Sequence, residues 1–202
     1  MIKQAIIFLF GLAPLFTSAE SYIIEIADFK CKYCLEAEKH TNILKEEAEW
    51  NNDKFIFAPI DIAMKQESDL LDESFYFATR HTHPKAELIK EILFDMNQKL
   101  SLTMNSYEEI IDWIAIYTRN PDLSKESLTA AFQEGSKNFE NIAAIKKTIN
   151  LVKKHNIKTT PSFILVSKKG VERVIIRPPE TSIGDYINIT LKAYKRMKES
   201  EN

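Results

Sequence analysis

The sequence predicts an α/β fold in which a block of helices is inserted between the two halves of a small sheet domain. Two observations support this prediction. Short β-rich runs occur near both ends of the chain, and residues 65–154 between them show helical spacing of apolar side chains and no convincing strand. A third observation points to function, because the only two cysteines, Cys31 and Cys34, stand where the first helix begins.

The first segment of the chain resembles a targeting signal. Lys3 precedes a twelve-residue apolar run over residues 5–16, and the small residues Thr17, Ser18 and Ala19 follow it. A run of this length is too short to span a bilayer and is typical of a cleavable secretory signal. We therefore expect a signal peptide over residues 1–19, with an uncleaved membrane anchor as the alternative.

The first half of the sheet domain is predicted to be a β-α-β unit. Residues 21–27 form a short β-rich run, and helical composition begins at Cys31 and continues to Trp50. Residues 54–62 then predict a second strand. Cys31 is thus expected at the N-terminus of a helix that directly follows a strand.

The middle of the chain is predicted to contain about five helices. Apolar residues recur at helical spacing in three stretches: Leu88, Ile92, Met96 and Leu100; Ile110, Ile114 and Tyr117; and Ile142, Ile145, Ile149 and Val152. Breaks fall at residues 83–84, 101–106 and 120–121. These stripes are interpreted as core faces, and no cofactor is assigned to them.

The last segment predicts a β-hairpin and a closing helix. Residues 161–166 and 171–176 read as strands joined by a turn, and Ser182 with Asp185 resembles a capping box for a helix ending near Lys198. The two outer pieces together make a thioredoxin-type α/β unit, and the helices are an insertion between its halves. We predict a thioredoxin-like domain formed by residues 20–64 and 155–202, with a helical insertion over residues 65–154.

Charge and composition narrow the function further. The formal net charge is −2, and Lys3 is the only charged residue in the predicted signal peptide, so its removal gives −3. A mildly acidic chain argues against nucleic acid as the main partner. Two cysteines in a chain of this length do not form a disulfide scaffold, although an exported protein meets oxidising conditions.

Three roles are open for the cysteine pair. A structural zinc site needs four ligands, and this chain offers one Cys-x-x-Cys pair and four scattered histidines. A structural disulfide over two intervening residues closes almost no loop and stabilises little. Redox chemistry fits best, because a thiol at a helix N-terminus faces unpaired N–H groups that favour the thiolate, and Lys30 and Lys32 add positive charge.

With these residues in view, the chain resembles the DsbA-type thiol:disulfide oxidoreductases of bacterial envelopes. The resemblance is carried by the signal peptide, by IIEIADFKCKYC, by the helical insertion and by TTPSFIL. It implies that Cys31 is the nucleophile and Cys34 the resolving thiol. It also implies that Pro161 is cis beside the disulfide, that Thr160 pairs with substrate backbone, and that Glu25 lies beneath the active site.

Two departures from the family pattern leave the direction of the reaction open. Strongly oxidising members carry Pro-His between the cysteines and usually Val before the cis proline, whereas this chain has Lys32-Tyr33 and Thr160. Threonine is more typical of isomerases and reductases, but those carry an N-terminal dimerisation domain that the dozen residues before Cys31 in the mature chain cannot form.

The resemblance nevertheless implies a monomeric periplasmic enzyme. Such an enzyme, without metal or cofactor, introduces disulfides into exported proteins that have free cysteines. A membrane quinone-linked protein of the DsbB type is expected to reoxidise it. A reductase or isomerase, or a dedicated maturation factor for one client, is the alternative, and a non-catalytic binding module of the same fold is a third possibility.

Overall fold

The computed structural model describes residues 20–64 and 69–201, so the predicted signal peptide over residues 1–19 lies outside the described residues. These residues contain one four-stranded sheet in the order β2-β1-β3-β4. Strand β1 pairs in parallel with β2 and antiparallel with β3, and β3 pairs antiparallel with β4. The four strands are β1 (Tyr22–Ala27), β2 (Lys54–Pro59), β3 (Ser162–Val166) and β4 (Glu172–Ile176).

The described part of the chain also contains eight α-helices. They are α1 (Lys32–Glu38), α2 (Asn42–Trp50), α3 (Leu71–Thr79), α4 (Ala86–Gln98), α5 (Tyr107–Thr118), α6 (Lys125–Lys137), α7 (Phe139–Lys154) and α8 (Ile183–Glu199). The five helices α3 to α7 confirm the predicted helical middle. The Ser182 side chain accepts a hydrogen bond from the Asp185 N–H and caps α8, as predicted.

Strand β1 is buried on both faces because helices cover both sides of the sheet. On one face Ile23 packs with residues of α2 and α8, including Leu44 and Tyr186. On the other face Ile24 packs with Ile149 of α7. A strand covered on both faces reads as a nearly continuous apolar run, which explains the composition of YIIEIA.

A third cluster joins the sheet to the helical block. The Phe29 ring lies 5.0 Å from the ring of Phe94 on α4, and the Phe57 ring lies 5.4 Å from the ring of Tyr76 on α3, measured between centroids. Edge-to-face aromatic pairs of this kind bury large apolar areas, so they stabilise the contact between the sheet and the helical block. Helix α7 ends at Lys154 and packs on the sheet, so packing does not separate it from the sheet domain. The predicted domain division at residue 154 stays a prediction.

The predicted single helix from Cys31 to Trp50 is wrong. The chain bends between α1 and α2, where the N–H of His40 bonds to the Ala37 carbonyl at 2.8 Å in a tight three-residue step. Thr41 is fully buried there, and its hydroxyl bonds back to the Glu38 carbonyl at 3.4 Å. Such back-bonding by threonine competes with the helical ladder and bends helices.

No helix within residues 20–64 and 69–201 combines the length and the apolar character that a membrane span requires.

Candidate active site

Cys31 lies at the end of a short loop that leaves the carboxyl end of β1. The Cys31 N–H donates to the Asp28 carbonyl at 3.0 Å, and the Lys30 N–H donates to Asp28 Oδ1 at 2.7 Å. Burial raises the pKa of Asp28 to about 6, although the bond from the Lys30 N–H opposes this shift. These two bonds fold the loop so that Cys31 becomes the N-cap residue of α1.

The two cysteines occupy different environments. Both are free thiols, but Cys31 is partly exposed whereas Cys34 is fully buried beneath it. Hydrogen bonding by the Cys34 thiol lowers the pKa of Cys31 to about 6, and the Thr160 side chain adds to this effect. Burial, together with the hydrogen bond to Cys31, raises the pKa of Cys34 well above its ordinary value. Cys31 is therefore the partly exposed cysteine that readily forms a thiolate, and Cys34 is the buried cysteine that stays a thiol.

The helix N-terminus contributes less to the Cys31 pKa than the side-chain donors do. Cys31 makes no side-chain capping hydrogen bond, although the N–H groups of Cys34 and Tyr33 face its sulfur and lower its pKa somewhat. The helix terminus and the Lys32 charge, which were expected to stabilise the thiolate, are not the largest causes of the lowered pKa.

The Thr160–Pro161 peptide bond is cis, as expected, and lies directly beside the cysteines. Cys31 Sγ is 3.2 Å from the Thr160 carbonyl oxygen, to which the thiol donates. The Tyr186 hydroxyl on α8 bonds to the Ile175 carbonyl at 2.6 Å and to the Pro161 carbonyl at 3.3 Å. Helix α8 thus holds the loop before β3 in place from beneath.

Glu25 lies in the middle of β1 with its side chain fully buried. Its register partners are Phe57 on β2 and Phe163 on β3, and neither carboxyl oxygen has a hydrogen-bond partner within the described residues. Burial, followed by repulsion from Glu38, raises the pKa of Glu25 well above its ordinary value. The strand alternation alone did not predict this burial, which arises because β1 is central in the sheet and helices cover both of its faces.

Several solved structures are similar to the whole described chain, although no protein-family model and no curated protein matches the sequence. Reduced DsbA1 from Neisseria meningitidis is 16% identical over 91% of this chain and 88% of its own, with a TM-score of 0.63. DsbA from Xylella fastidiosa is 15% identical over 91% and 89%, with a TM-score of 0.64. DsbA from Pseudomonas aeruginosa is 14% identical over 94% and 88%, with a TM-score of 0.61.

This chain has the DsbA-type thioredoxin fold. The predicted fold class, with its helical insertion, is thereby confirmed. Within this fold the structure brings together the cysteine pair, Thr160, Pro161 and Glu25, although the loop before β3 lies 129 residues from Cys31 in the sequence.

An ion-pair network beneath this candidate site was not foreseen from the sequence. Lys90 of α4 is almost fully buried, and its Nζ lies 2.8 Å from Glu38 Oε2 and 2.7 Å from Glu87 Oε2. Glu38 lies in the last turn of α1, and its Oε1 is buried without a hydrogen-bond partner in the described part of the chain. Lys90 therefore offsets the negative charge of the carboxyl groups that surround Glu25. A lysine within a helical pattern gives no sequence signal for such burial.

Gln98, the last residue of α4, also connects the helical block to the active-site loop. Its side-chain amide donates to the Phe29 carbonyl and to the Cys31 carbonyl, each at 2.9 Å. One side chain therefore fixes both ends of the segment that carries Lys30. The sequence contains no signal for this contact, which joins residues 67 positions apart.

Lys32 and Tyr33 form part of the surface beside Cys31. The Lys32 ammonium lies 4.9 Å from the centroid of the Tyr33 ring, and the Arg177 guanidinium carbon lies 4.2 Å from it. Lys32 therefore leans on the ring of its neighbour, and Arg177 joins the site from the end of β4. Lys30, by contrast, forms an ion pair with Asp61 at 2.9 Å.

No group of three or more histidine, cysteine, aspartate or glutamate side chains is arranged to hold a metal ion within residues 20–64 and 69–201. The metal-free state stays a prediction for elemental analysis.

Proposed function

We propose that this protein is a thiol:disulfide oxidoreductase that acts through Cys31 and Cys34. The observation that carries the proposal is the asymmetry of the pair beside the cis Thr160–Pro161 bond. Cys31 is partly exposed with a pKa of about 6, whereas Cys34 is buried with a raised pKa. A thiolate is the reactive form of cysteine, so Cys31 is the attacking group and the leaving group for clients.

In the oxidising direction the enzyme starts with a Cys31–Cys34 disulfide. A client thiolate attacks Cys31 Sγ, a client–Cys31 disulfide forms, and Cys34 leaves as a thiolate and takes up a proton. A second client thiolate then attacks the client sulfur of this mixed disulfide and expels Cys31 as a thiolate. The client loses two electrons, and the enzyme gains them as its dithiol.

Glu25 is proposed to exchange the proton of Cys34. Its raised pKa favours the protonated carboxyl, and neither carboxyl oxygen has a hydrogen-bond partner in the described part of the chain. Burial is the main cause of the raised pKa of Cys34, and ionisation of Glu25 would raise this pKa further, so the protonation states of the two groups are linked. Glu25 would donate a proton when the Cys34 thiolate forms and accept it when the disulfide is restored.

We further propose that the enzyme works as a monomeric oxidase in the periplasm, after removal of residues 1–19. Clients would be exported proteins with free cysteines, and a quinone-linked membrane protein of the DsbB type would restore the disulfide. The lowered pKa of Cys31 supports this direction, because stabilising the thiolate stabilises the reduced enzyme and makes its disulfide more oxidising. A reductase, an isomerase or a dedicated maturation factor would share the same site.

The decisive experiment traps the client on the enzyme. Cys34→Ala should accumulate mixed disulfides through Cys31 when incubated with an oxidised client, whereas Cys31→Ala should not. Equal trapping by Cys31→Ala would contradict the assigned roles. Insulin reduction with and without dithiothreitol then tests for turnover, and an inactive protein would favour a non-catalytic binding module. Light scattering tests the monomer, and cell fractionation tests the periplasmic location.

A further inference from the structure

We propose that Lys32, Tyr33 and Arg177 form a client-binding surface, here called the cationic patch, that selects acidic residues next to the reacting cysteine of the client. This inference rests on the proposed disulfide exchange and adds a substrate class to it. The partner is a peptide segment with aspartate or glutamate beside its thiol.

The position of the cationic patch follows from the sheet register. Ser162 on β3 faces Ile176 on β4, so continuing the antiparallel ladder by one residue places Arg177 opposite Pro161. Tyr33 stands between the two cysteines in the sequence, and its ring contacts the Arg177 guanidinium at 4.2 Å. The cationic patch therefore connects the Cys31 side of the site to the cis-proline side.

In the described part of the chain, no carboxylate neutralises the two charges of the cationic patch. Lys30, Lys54, Lys99 and Lys125 each have a carboxylate oxygen within 2.9 Å. Within residues 20–64 and 69–201, Lys32 and Arg177 form no such ion pair. The guanidinium donates one hydrogen bond, to the Thr181 carbonyl at 2.7 Å, and its other N–H groups have no protein acceptor there.

The chemistry of the cationic patch fits a carboxylate that arrives with the client thiol. An arginine presents several N–H donors in a fixed plane that matches a carboxylate, and the Tyr33 ring holds this plane in place. The protein as a whole carries a net charge of −2, so its overall field does not attract acidic clients. Attraction must therefore act over a short range at the site, where the Debye length at 0.1 M salt is about 10 Å.

The test uses three reduced dithiol peptides that differ only beside the reacting cysteine, where they carry Glu, Gln or Lys. Each rate with the oxidised enzyme is divided by the rate with bis(2-hydroxyethyl) disulfide, a neutral reagent that reports the intrinsic reactivity of the peptide thiol. The normalised rate of the Glu peptide should exceed that of the Lys peptide about threefold to tenfold at low salt. The preference should disappear at about 0.5 M salt.

Charge variants locate the preference. Arg177→Gln and Lys32→Gln should each reduce it, and the double variant should abolish it, whereas Lys169→Gln, an exposed lysine in the β3–β4 turn, should keep it. Two outcomes would overturn the inference, provided that the Gln peptide still reacts. One is equal normalised rates for the Glu and Lys peptides, and the other is a preference that survives in the double variant. Failure of all three peptides to react would instead refute the proposed disulfide exchange. The salt series is measured on the unaltered enzyme, so it tests the inference even if a charge variant does not fold.

Discussion

At the scale of single residues, Thr160 carries more of the site chemistry than its place before a strand suggests. After the Cys34 thiol, its side chain contributes to the lowered pKa of Cys31, and it partly opposes the burial that raises the pKa of Cys34. Its carbonyl accepts from the Cys31 thiol. The carbonyl favours the protonated thiol, whereas the hydroxyl favours the thiolate. Thr160 therefore acts on the ionisation of Cys31 in two opposite directions.

Replacing Thr160 with Val removes only the hydroxyl contribution. We expect the pKa of Cys31 to rise from about 6 by roughly one unit in Thr160→Val, because one charge-assisted hydrogen bond is lost. The mixed disulfide with a client should also persist longer. Thiolate absorbance at 240 nm against pH measures the pKa, and Thr159→Val, an exposed neighbour, is the control. An unchanged pKa in Thr160→Val would limit this residue to a role in the backbone.

Glu25 gives the protein a pH dependence of stability with a definite sign. Its folded-state pKa lies above the ordinary value of 4.5, so the folded protein keeps a proton that the unfolded chain releases. This contribution is complete below about pH 4.5 and is lost as the pH rises through the raised pKa. Burial raises the pKa of Glu73 to about 8, so Glu73 contributes with the same sign.

Glu25→Gln should remove the part of this slope that belongs to Glu25. The free energy of unfolding, measured with urea from pH 5 to pH 8, should fall less steeply in the variant, by at most about 1.4 kcal/mol per pH unit. Glu36→Gln, at an exposed position on α1, should leave the slope as it is. Parallel slopes for the parent protein and Glu25→Gln would show that the Glu25 carboxyl is ionised in the folded state.

At the scale of secondary-structure elements, α4 is the helix that connects the helical insertion to the candidate site. It supplies Lys90 to the carboxyl groups around Glu25 and Gln98 to the backbone of the active-site loop. Removing the Gln98 amide leaves two carbonyl groups without this donor. A neutral hydrogen bond contributes about 1 kcal/mol to stability. Because both carbonyl groups belong to the loop that carries Cys31, the loss should destabilise mainly that loop.

Gln98→Ala should therefore loosen the loop while the fold persists. We expect faster amide hydrogen exchange over residues 28–34, a shifted Cys31 pKa and a free energy of unfolding lower by about 1–2 kcal/mol. Gln133→Ala, on an exposed position of α6, is the matched control. If exchange in the loop were the same in both variants, Gln98 would have no part in positioning Cys31.

Helices α3 and α6 meet at a glycine that leaves no room for a side chain. A Cβ on Gly135 would lie 1.7 Å from the Ala78 carbonyl oxygen, which is a backbone atom that cannot rotate away. Gly135→Ala should therefore force the helices apart and lower the free energy of unfolding by about 3 kcal/mol. Gly184→Ala is the control, because its Cβ would meet only His40 Cε1 at 3.9 Å, and it should be neutral or slightly stabilising. Equal stability of the two variants would contradict the tight α3–α6 packing.

At the scale of the whole molecule, local signals predicted the elements and long-range packing decided the site. The helical middle and the Ser182 cap follow from spacing and from neighbouring residues, so the sequence was sufficient for them. The burial of Glu25 depends on which strand lies at the centre of the sheet, and pairing between distant segments decides that. Gln98 and Arg177 reach the site only through tertiary structure. Thr160 and Pro161 were found through family resemblance, since a proline before a strand is ordinarily trans.

The reduction potential depends on all the contacts of the two cysteines together. Hydrogen bonds from Cys34 and Thr160 stabilise the Cys31 thiolate, which exists only in the reduced protein. The disulfide closes a loop with two intervening residues and adds little stability of its own. The reduced protein should therefore be more stable than the oxidised protein in parallel urea titrations at pH 7, and the disulfide should be oxidising.

Equilibration with glutathione buffers gives the potential directly. We expect a value between about −200 and −120 mV, where about −120 mV is the reference value for DsbA itself and about −270 mV that for thioredoxin. The Cys31 pKa of about 6 places this protein short of the DsbA extreme, for which the reference pKa is about 3.5. A potential near that of thioredoxin, with an oxidised protein more stable than the reduced one, would exclude the oxidase and favour the reductase. A potential in the expected range, together with faster oxidation than reduction of clients, would support the oxidase.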